Sequence, residues 1–348
     1  MILKHLSLQN FRSHTKSKFD FNPGTTLIVG PNTSGKTNLI EAIWFLATGG
    51  SMRAEKDTET ISFGKNIARI TAEVENSNGD TRLEVVLTAD KLKRYSVNGV
   101  ARRRLDFVGN MVCVLFSPLD LDIVSGSPSL RRRFLDETLI QVDKKYWVAR
   151  TSYDKALRQR NALLEQARET GNRDEKNFAY WDDLLIEQGL TITQKREELI
   201  GFFNDQKKEV FPFHIVYDKS TISKDRLVQY YQAEMGSAVT LVGPHRDDFS
   251  IHMFGKGDST HNVKLFGSRG QQRLAVLQLL LLELSFIEQT IGERPVLLLD
   301  DIFSELDEGH IHHVTSLLTT QQTIMTTTHK EFIEPKLLKE ITVVELEA

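Results

Sequence analysis

Residues 25–37 read TTLIVGPNTSGKT, and the last eight of them fit the spacing GxxxxGK[ST]. The apolar run TTLIV enters the motif as a strand would, and NLIEAIWFLAT (38–48) leaves it with helical periodicity. That context gives the spacing a chemical meaning. Gly30 and Gly35 let the backbone turn tightly enough for its N–H groups to face phosphate oxygens. The N-terminus of the following helix adds the positive end of its dipole. Lys36 can then reach the β- and γ-phosphates of a nucleotide, and the Thr37 hydroxyl is available to Mg²⁺. Asn32, Ser34 and Asn38 are assigned to the same cradle.

A phosphate loop needs an acidic strand end to complete its metal site. PVLLLDD (295–301) supplies one, with Asp300 for Mg²⁺ and Asp301 to orient or polarise an attacking water. Alone, two aspartates after a strand could simply cap the next helix; read with GPNTSGKT, they belong to a catalytic pair. A third stretch, SRGQQR (268–273), leads into the leucine-rich helix LAVLQLLLLEL. Ser268, Gly270 and Gln271 make its N-terminus a second phosphate receptor. One chain is not expected to bring both receptors to the same nucleotide.

The remaining sequence divides around these motifs. ARITAEVE, TRLEVVLTA and KRYSV alternate between 67 and 97, and Asn98-Gly99 marks a two-residue hairpin turn. From Pro128 to about residue 169 there is neither proline nor glycine. Leu135, Leu139, Val142, Tyr146, Ala149, Tyr153, Ala156, Arg160, Leu163 and Ala167 step by four and three, a heptad stripe broken by Arg160. After the polar turn ETGNRDEK (169–176), Phe178, Trp181, Leu185, Gln188, Ile192, Lys195, Leu199 and Phe202 repeat it. The pattern predicts an antiparallel helical hairpin whose first helix, some forty residues long, would reach roughly 60 Å; two helices of an ordinary bundle are the plainer alternative. The expected fold is α/β, a P-loop ATPase head with a mixed sheet and an antiparallel β annex. The head takes residues 1–128 and 241–348, and a helical lobe with a short arm is inserted at 129–240.

Composition sets outer limits. With 40% hydrophobic and 26% charged residues, the chain can bury a core without staples. Its one cysteine, Cys113 in MVCVLF, reads as a small buried hydrophobe. The start, MILKHLSLQNF, lacks the apolar core of a signal peptide. The longest apolar stretch, 274–287, is interrupted by Gln278 and Glu283 and falls short of the ~18 residues of a membrane span. A cytoplasmic protein without a membrane partner is expected. Net charge is −3, yet Arg102, Arg103 and Arg104, and again Arg131, Arg132 and Arg133, stand together. Such clusters could track a nucleic-acid backbone or be solvated faces.

Taken in order, GPNTSGKT, SRGQQ, VLLLDD and SELD (304–307) resemble the motif set of ATP-binding-cassette ATPases. NFRSH (10–14) looks like the chromosome-maintenance and repair (SMC-like) branch. FSPLDLDIVSGSPSLRRRFLD (116–136), GPHRDDF (243–249) and GSRGQQRLAVLQLLLLEL (267–284) are similar to the RecF family of recombination mediators, over residues 1 to about 310. The resemblance implies a two-lobed ATPase head that dimerises on two sandwiched ATP molecules. It implies binding of DNA at gaps or single/double-strand junctions, slow Mg²⁺-dependent hydrolysis, and work with RecR and RecO to load the RecA recombinase. Carried over by residue, Lys36, Thr37, Asp300 and Asp301 serve phosphate, metal and water; Ser268, Gly270 and Gln271 cap the γ-phosphate held by a second copy. Arg12 would contact nucleotide, and Asp307 would be the loop acid at the dimer seam. A transporter-type or nuclease-coupled ATPase subunit is the alternative; the first needs a membrane partner, and the insert is short for the second. Several positions depart from the wider superfamily. Arg269 and Thr33 stand where glycine is common, Asp301 replaces glutamate as RecF relatives also have it, and Leu119 replaces an acid. No glutamine lies in 112–118 to couple the lobes, and His329 occupies a switch-histidine position while a surface role suits it as well.

Overall fold

The computed structural model describes residues 1–171, 175–255, 259–302, 320–328, 330 and 338–347, which fall into two compact units. The first comprises Met1–Leu121 and Val276–Ala348, the second Asp122–Ala275.

The first unit opens with strands β1 (Ile2–Phe11) and β2 (His14–Asp20), then β3 (Thr25–Val29) and helix α1 (Lys36–Thr48). Strands β4 (Ile67–Asn76), β5 (Gly79–Thr88), β6 (Lys93–Val97) and β7 (Val100–Arg102) follow, then a one-turn helix α2 (Arg104–Phe107) and β8 (Cys113–Phe116). The antiparallel sheet runs β2-β1-β4-β5-β6-β7. Its alternation is the one the sequence predicts: Leu3, Leu6, Leu8, Ile70, Ala72, Val74, Leu83, Val85 and Leu87 are all buried. Asn98 and Gly99 both take positive φ, 52° and 77°, as a two-residue hairpin turn requires.

The second unit contributes α3 (Asp122–Ser125), α4 (Pro128–Val142), α5 (Lys144–Thr170), α6 (Glu175–Asp205), β9 (Phe213–Asp218) and α7 (Lys224–Ser237). It continues with β10 (Asp248–Phe254), β11 (Thr260–Asn262), α8 (Val263–Phe266) and the start of α9 (Arg269–Ile291). The first unit then closes with β12 (Val296–Asp300), β13 (Thr323–Thr327) and β14 (Thr342–Glu345). These last strands join the earlier ones in a parallel sheet of order β14-β3-β13-β12-β8. β3, β12 and β13 are buried along their whole length, the pattern of a sheet covered on both faces. Helix α1 is buried almost all round, as a helix packed on every side must be.

Three sequence expectations change. The stretch 128–169 is not one helix, because the Asp143 side chain leaves α4 and caps α5 by accepting from the Tyr146 N–H at 3.0 Å. Helix α5 therefore has 27 residues and reaches about 40 Å instead of 60. In α6, Gly189, Arg196 and Phe203 are buried where Gln188, Lys195 and Phe202 had been expected; a Cβ on Gly189 would stand 2.7 Å from Ile222 Cγ2. Finally, β10 pairs with β9 through six registered residue pairs, and this draws residues 241–275, expected in the head, into the second unit.

Helix α9 is, by length and composition alone, apolar enough to cross a membrane, contrary to the shorter apolar stretch read from the sequence. Its apolar side chains are spent on the interior: Val276, Leu277, Leu279, Leu280 and Ile287 are buried.

Candidate functional site

In a parallel sheet, ligands collect at the carboxyl ends of the strands. Here β3 ends in the phosphate loop, β12 in Asp300 and β13 in Thr326 and Thr327, all at one edge of the first unit. The Thr37 hydroxyl donates to Asp300 Oδ1 at 3.2 Å, and Thr326 Oγ1 donates to the same oxygen at 2.7 Å. Thus the GKT threonine and the strand-end aspartate, 263 residues apart, meet directly. Asp301 sits beyond them at φ 51°, held by its N–H donating to Thr326 Oγ1 at 3.0 Å. Lys36 Nζ donates to the carbonyls of Gly30 (2.6 Å) and Pro31 (2.8 Å), folded back over the loop it serves. Burial lowers its pKa, against the opposing pull of Asp301 and Asp300.

The loop's glycines are sterically required. A Cβ on Gly30 would lie 2.6 Å from Ser34 Oγ, and one on Gly35, at φ 95°, would lie 2.7 Å from Ser13 Oγ. Thr33, where a glycine is common in the superfamily, takes φ 78°, a conformation that strains a β-branched residue. Replacing Thr33 with glycine is expected to raise stability by about 0.5–1 kcal/mol, the αL strain less the entropy of the glycine; a denaturant midpoint that falls instead would contradict this. The site also suits its implied metal. Thr37 and Asp300 present hard oxygen ligands side by side, and Mg²⁺ typically takes only one or two from protein, keeping waters and phosphate for the rest.

Sequence reading did not anticipate the surroundings of Arg12. Its Nε and Nη2 grip Glu41 at 2.9 and 2.8 Å, and Nη1 donates to the Glu59 carbonyl at 3.1 Å. Glu41 is fully buried on α1, one turn after Thr37, and also accepts from Arg53 at 3.0 Å and Ser51 at 2.5 Å. Burial works to raise the pKa of its carboxyl; Arg12, Ser51 and Arg53 together hold it below the usual carboxylate range. The available signal was an acid inside the apolar run NLIEAIWFLAT. Arg53 also donates to Asn38 Oδ1 at 2.9 Å, and Asn38 in turn donates to Ser13 at 2.9 Å. His14 Nε2 lies 3.1 Å from the Gly35 carbonyl and is buried, which lowers its pKa and favours the neutral ring. Asn32 is exposed and Ser34 half-buried on the loop.

The hook at 268–271 lies in the second unit. Its N–H and side-chain groups form a capping box: Ser268 N donates to Gln271 Oε1 at 2.9 Å, and Gln271 N donates to Ser268 Oγ at 3.3 Å. A Cβ on Gly270 would meet only Ser268 Oγ at 3.9 Å, so nothing in this chain's local packing requires glycine there. Arg269 is exposed. Asp307, the SELD stretch and His329 lie outside the described residues. The position sought for a lobe-coupling glutamine follows β8, where Phe116 is registered with Leu299 and Ser117 comes next at the same edge.

The arginine clusters separate into two kinds. Arg104 is half-buried: its Nε and Nη2 donate to the Thr48 carbonyl at 3.3 and 2.8 Å, closing the C-terminus of α1. Arg131 is 6% exposed and grips Asp248 with two nitrogens while a third donates to the Ile123 and Gly126 carbonyls. Arg131, buried in its hydrogen-bonded pair, has no face to offer a nucleic acid; Arg104, half-buried, has two of its nitrogens committed to the Thr48 carbonyl. Arg102 and Arg103 are exposed, and Arg132, half-buried, gives one nitrogen to the Asp247 carbonyl at 2.7 Å.

Comparison with known proteins agrees with this arrangement. Residues 2–345 match the family model described as RecF/RecN/SMC N terminal domain. The chain is 37% identical to the DNA replication and repair protein RecF of Halalkalibacterium halodurans, across all of this chain and 98% of that one. It is 34% identical to the RecF of Herpetosiphon aurantiacus across 98% and 97%. Among solved structures it is similar to the recombination mediator protein RecF-ATP of the RecFOR pathway, at 31% identity and a TM-score of 0.87 over 95% of this chain and 93% of that one. An SMC head from Pyrococcus furiosus, at 18% identity and a TM-score of 0.53, shares the fold. With a phosphate loop, a paired strand-end aspartate and full-length similarity of this order, the chain belongs to the RecF family of DNA replication and repair proteins.

Proposed function

We propose that this chain is an ATP-dependent DNA-binding protein that dimerises on ATP, binds DNA at gaps or single/double-strand junctions, and helps load the RecA recombinase. The observation that supports the reading is a pair of sites on one chain, each with the chemistry to receive a phosphate. One is built from Lys36, Thr37 and Asp300; the other is the SRGQ cap, whose Gly270 leaves space that, among the described residues, only Ser268 Oγ approaches within 4 Å. A second copy would complete each site, with Ser268, Gly270 and Gln271 facing the γ-phosphate. Asp307 would lie at the dimer seam.

Within one site, Gly30, Asn32, Ser34, Gly35 and Asn38 cradle the phosphates, and Arg12 stands beside them on its Glu41 anchor. Mg²⁺ held by Thr37 and Asp300 would supply charge neutralisation on the phosphates. Lys36 exchanges its loop carbonyls for phosphate oxygens, and Asp301 orients the water. Hydrolysis, slow and stimulated by DNA, resets the clamp. DNA would meet the exposed Arg102 and Arg103 and the half-buried Arg132. The helical insert is read as a second lobe with a short arm, RecR and RecO as partners, and the cytoplasm as the compartment.

Sedimentation with Mg²⁺ and a gapped duplex tests the reading. Saturating ATP is expected to convert monomer to dimer and to turn on DNA binding whose affinity falls steeply with salt as counterions are released. No change in sedimentation under saturating ATP would refute the sandwich, and salt-insensitive binding would refute the arginine surface.

A further inference from the structure

Phe63 is the most solvent-exposed large hydrophobic side chain among the described residues, at 105% of its reference accessibility. Single exposed apolar residues are common and usually mean nothing. What sets this one apart is the backbone beneath it. Phe63 stands on a tight turn closed by Lys65 N donating to the Ser62 carbonyl at 3.0 Å, with Gly64 at φ 72°. That turn is tied on both sides to residues 10–12. Ser62 N donates to the Asn10 carbonyl at 2.9 Å, Ser62 Oγ to the Arg12 carbonyl at 2.6 Å, and Arg12 N to the Thr60 carbonyl at 2.7 Å. Asn10 Nδ2 adds a bond to the Ile67 carbonyl at 3.1 Å. Asn10 and Arg12 both sit in the left-handed region, at φ 51° and 52°, although neither is glycine. Strain of this kind, held by many bonds, collects where a site must be held in shape.

Residues 12–14, which continue the segment that ties down that turn, touch the phosphate loop and the helix behind it. Ser13 accepts from Asn38, His14 lies 3.1 Å from the Gly35 carbonyl, and Arg12 is fixed to α1 through Glu41. One rigid strip therefore runs from the phosphate cradle through Arg12 to Phe63. We propose that Phe63 is the base-stacking residue of the nucleotide site, its ring covering the adenine of an ATP whose phosphates lie in the loop of residues 30–37. A phenyl face suits a flat heteroaromatic ring. Its full exposure is what an aromatic residue shows when its partner is a ligand and not the core. This proposal rests on the reading of the loop as an ATP site.

Equilibrium binding of ATP and of inorganic tripolyphosphate to the full chain tests it. Because the side chain packs on nothing, Phe63→Ala should fold normally. It is expected to weaken ATP roughly tenfold, in line with the loss of one stacked base, and to leave tripolyphosphate binding unchanged. Phe63→Trp should restore ATP affinity and show an indole emission that ATP quenches and tripolyphosphate does not, beyond any change in the wild type. Equal weakening of both ligands, or no weakening of ATP, would overturn the proposal. Unchanged ATP affinity with reduced DNA affinity would overturn it in favour of a ring that stacks on nucleic acid. Wild-type protein that binds neither ligand would bring down the underlying ATP reading, and this proposal with it.

Discussion

Asp301→Asn is expected to lower ATP turnover by at least a hundredfold while leaving ATP affinity within a few fold. The substitution keeps the shape and a side chain tolerant of the left-handed backbone at φ 51°, so the hydrogen bond from its N–H to Thr326 Oγ1 should survive. What it removes is the negative charge that, on the proposed reading, would orient and polarise a water, a contribution worth about 10²–10⁴ in rate. Lys36→Met should behave differently, losing binding and turnover together, because the ammonium neutralises phosphate charge in the ground state as well. The contrast separates Asp301 from Asp300, whose oxygen is already engaged by Thr37 and Thr326 and whose loss should cost metal affinity. Steady-state kinetics with nucleotide-binding measurements on the three variants checks this. Asp301→Asn turnover within threefold of wild type would remove Asp301 from the chemistry. In mixtures, Lys36→Met combined with Ser268→Arg should recover activity through one intact composite site per heterodimer.

The second large effect lies in the helical unit. Arg196→Leu is expected to destabilise that unit by about 3–5 kcal/mol, because it strips the cationic partner from a fully buried carboxylate, Asp247. Arg196 is 1% exposed in the middle of the α6 stripe. Its Nη2 donates to Asp136 at 2.6 Å, and Nη1 donates to the Pro244 carbonyl at 2.8 Å and to the fully buried Asp247 at 3.2 Å. Tyr146 and Tyr217 bond the same two aspartates. Removing the guanidinium leaves the fully buried Asp247 without its cationic partner and Asp136, 16% exposed, with Arg150 alone. Hydrogen exchange along α5 and α6 should accelerate far more than exchange in the parallel sheet. A midpoint shift below 1 kcal/mol would mean that the network relaxes around the loss.

Much of this was legible beforehand, for reasons that can be named. GPNTSGKT works through backbone conformation and two fixed side chains, so its spacing survives as text, and VLLLDD reads as a buried strand with an acid at its tip. The antiparallel strands were legible because burial of one face imposes a period of two. The missed features depend on pairings across long separations. Arg104 and Arg131 looked like parts of surface clusters, since nothing local announces a partner carbonyl 56 residues away or Asp248, 117 residues away. Arg196 was hidden for the same reason: the stripe was placed on Lys195, one residue early, and nothing local announces Asp136 or Asp247. The break at Asp143 was masked because aspartate is tolerated in helices and the apolar stepping continues through it. Glu41 stood in plain view, but only Arg12 and Arg53 converging on it make it more than an oddity in an apolar helix.

The capping box at Ser268 and Gln271 carries a consequence of its own. The groups that would greet an arriving phosphate are already engaged with each other, so the hook is a latch as well as a receptor. A ligand must displace a neutral hydrogen-bonded pair to gain a charge-assisted one, and net affinity is the difference between the two. Weakly charged or misaligned anions do not recover that cost and leave the latch shut. In the proposed dimer, a terminal phosphate carried in by a second copy would arrive already oriented and concentrated by its own binding loop. Self-satisfaction of the hook would thus set a threshold, and selectivity for the proposed dimer would follow from the local chemistry of four residues.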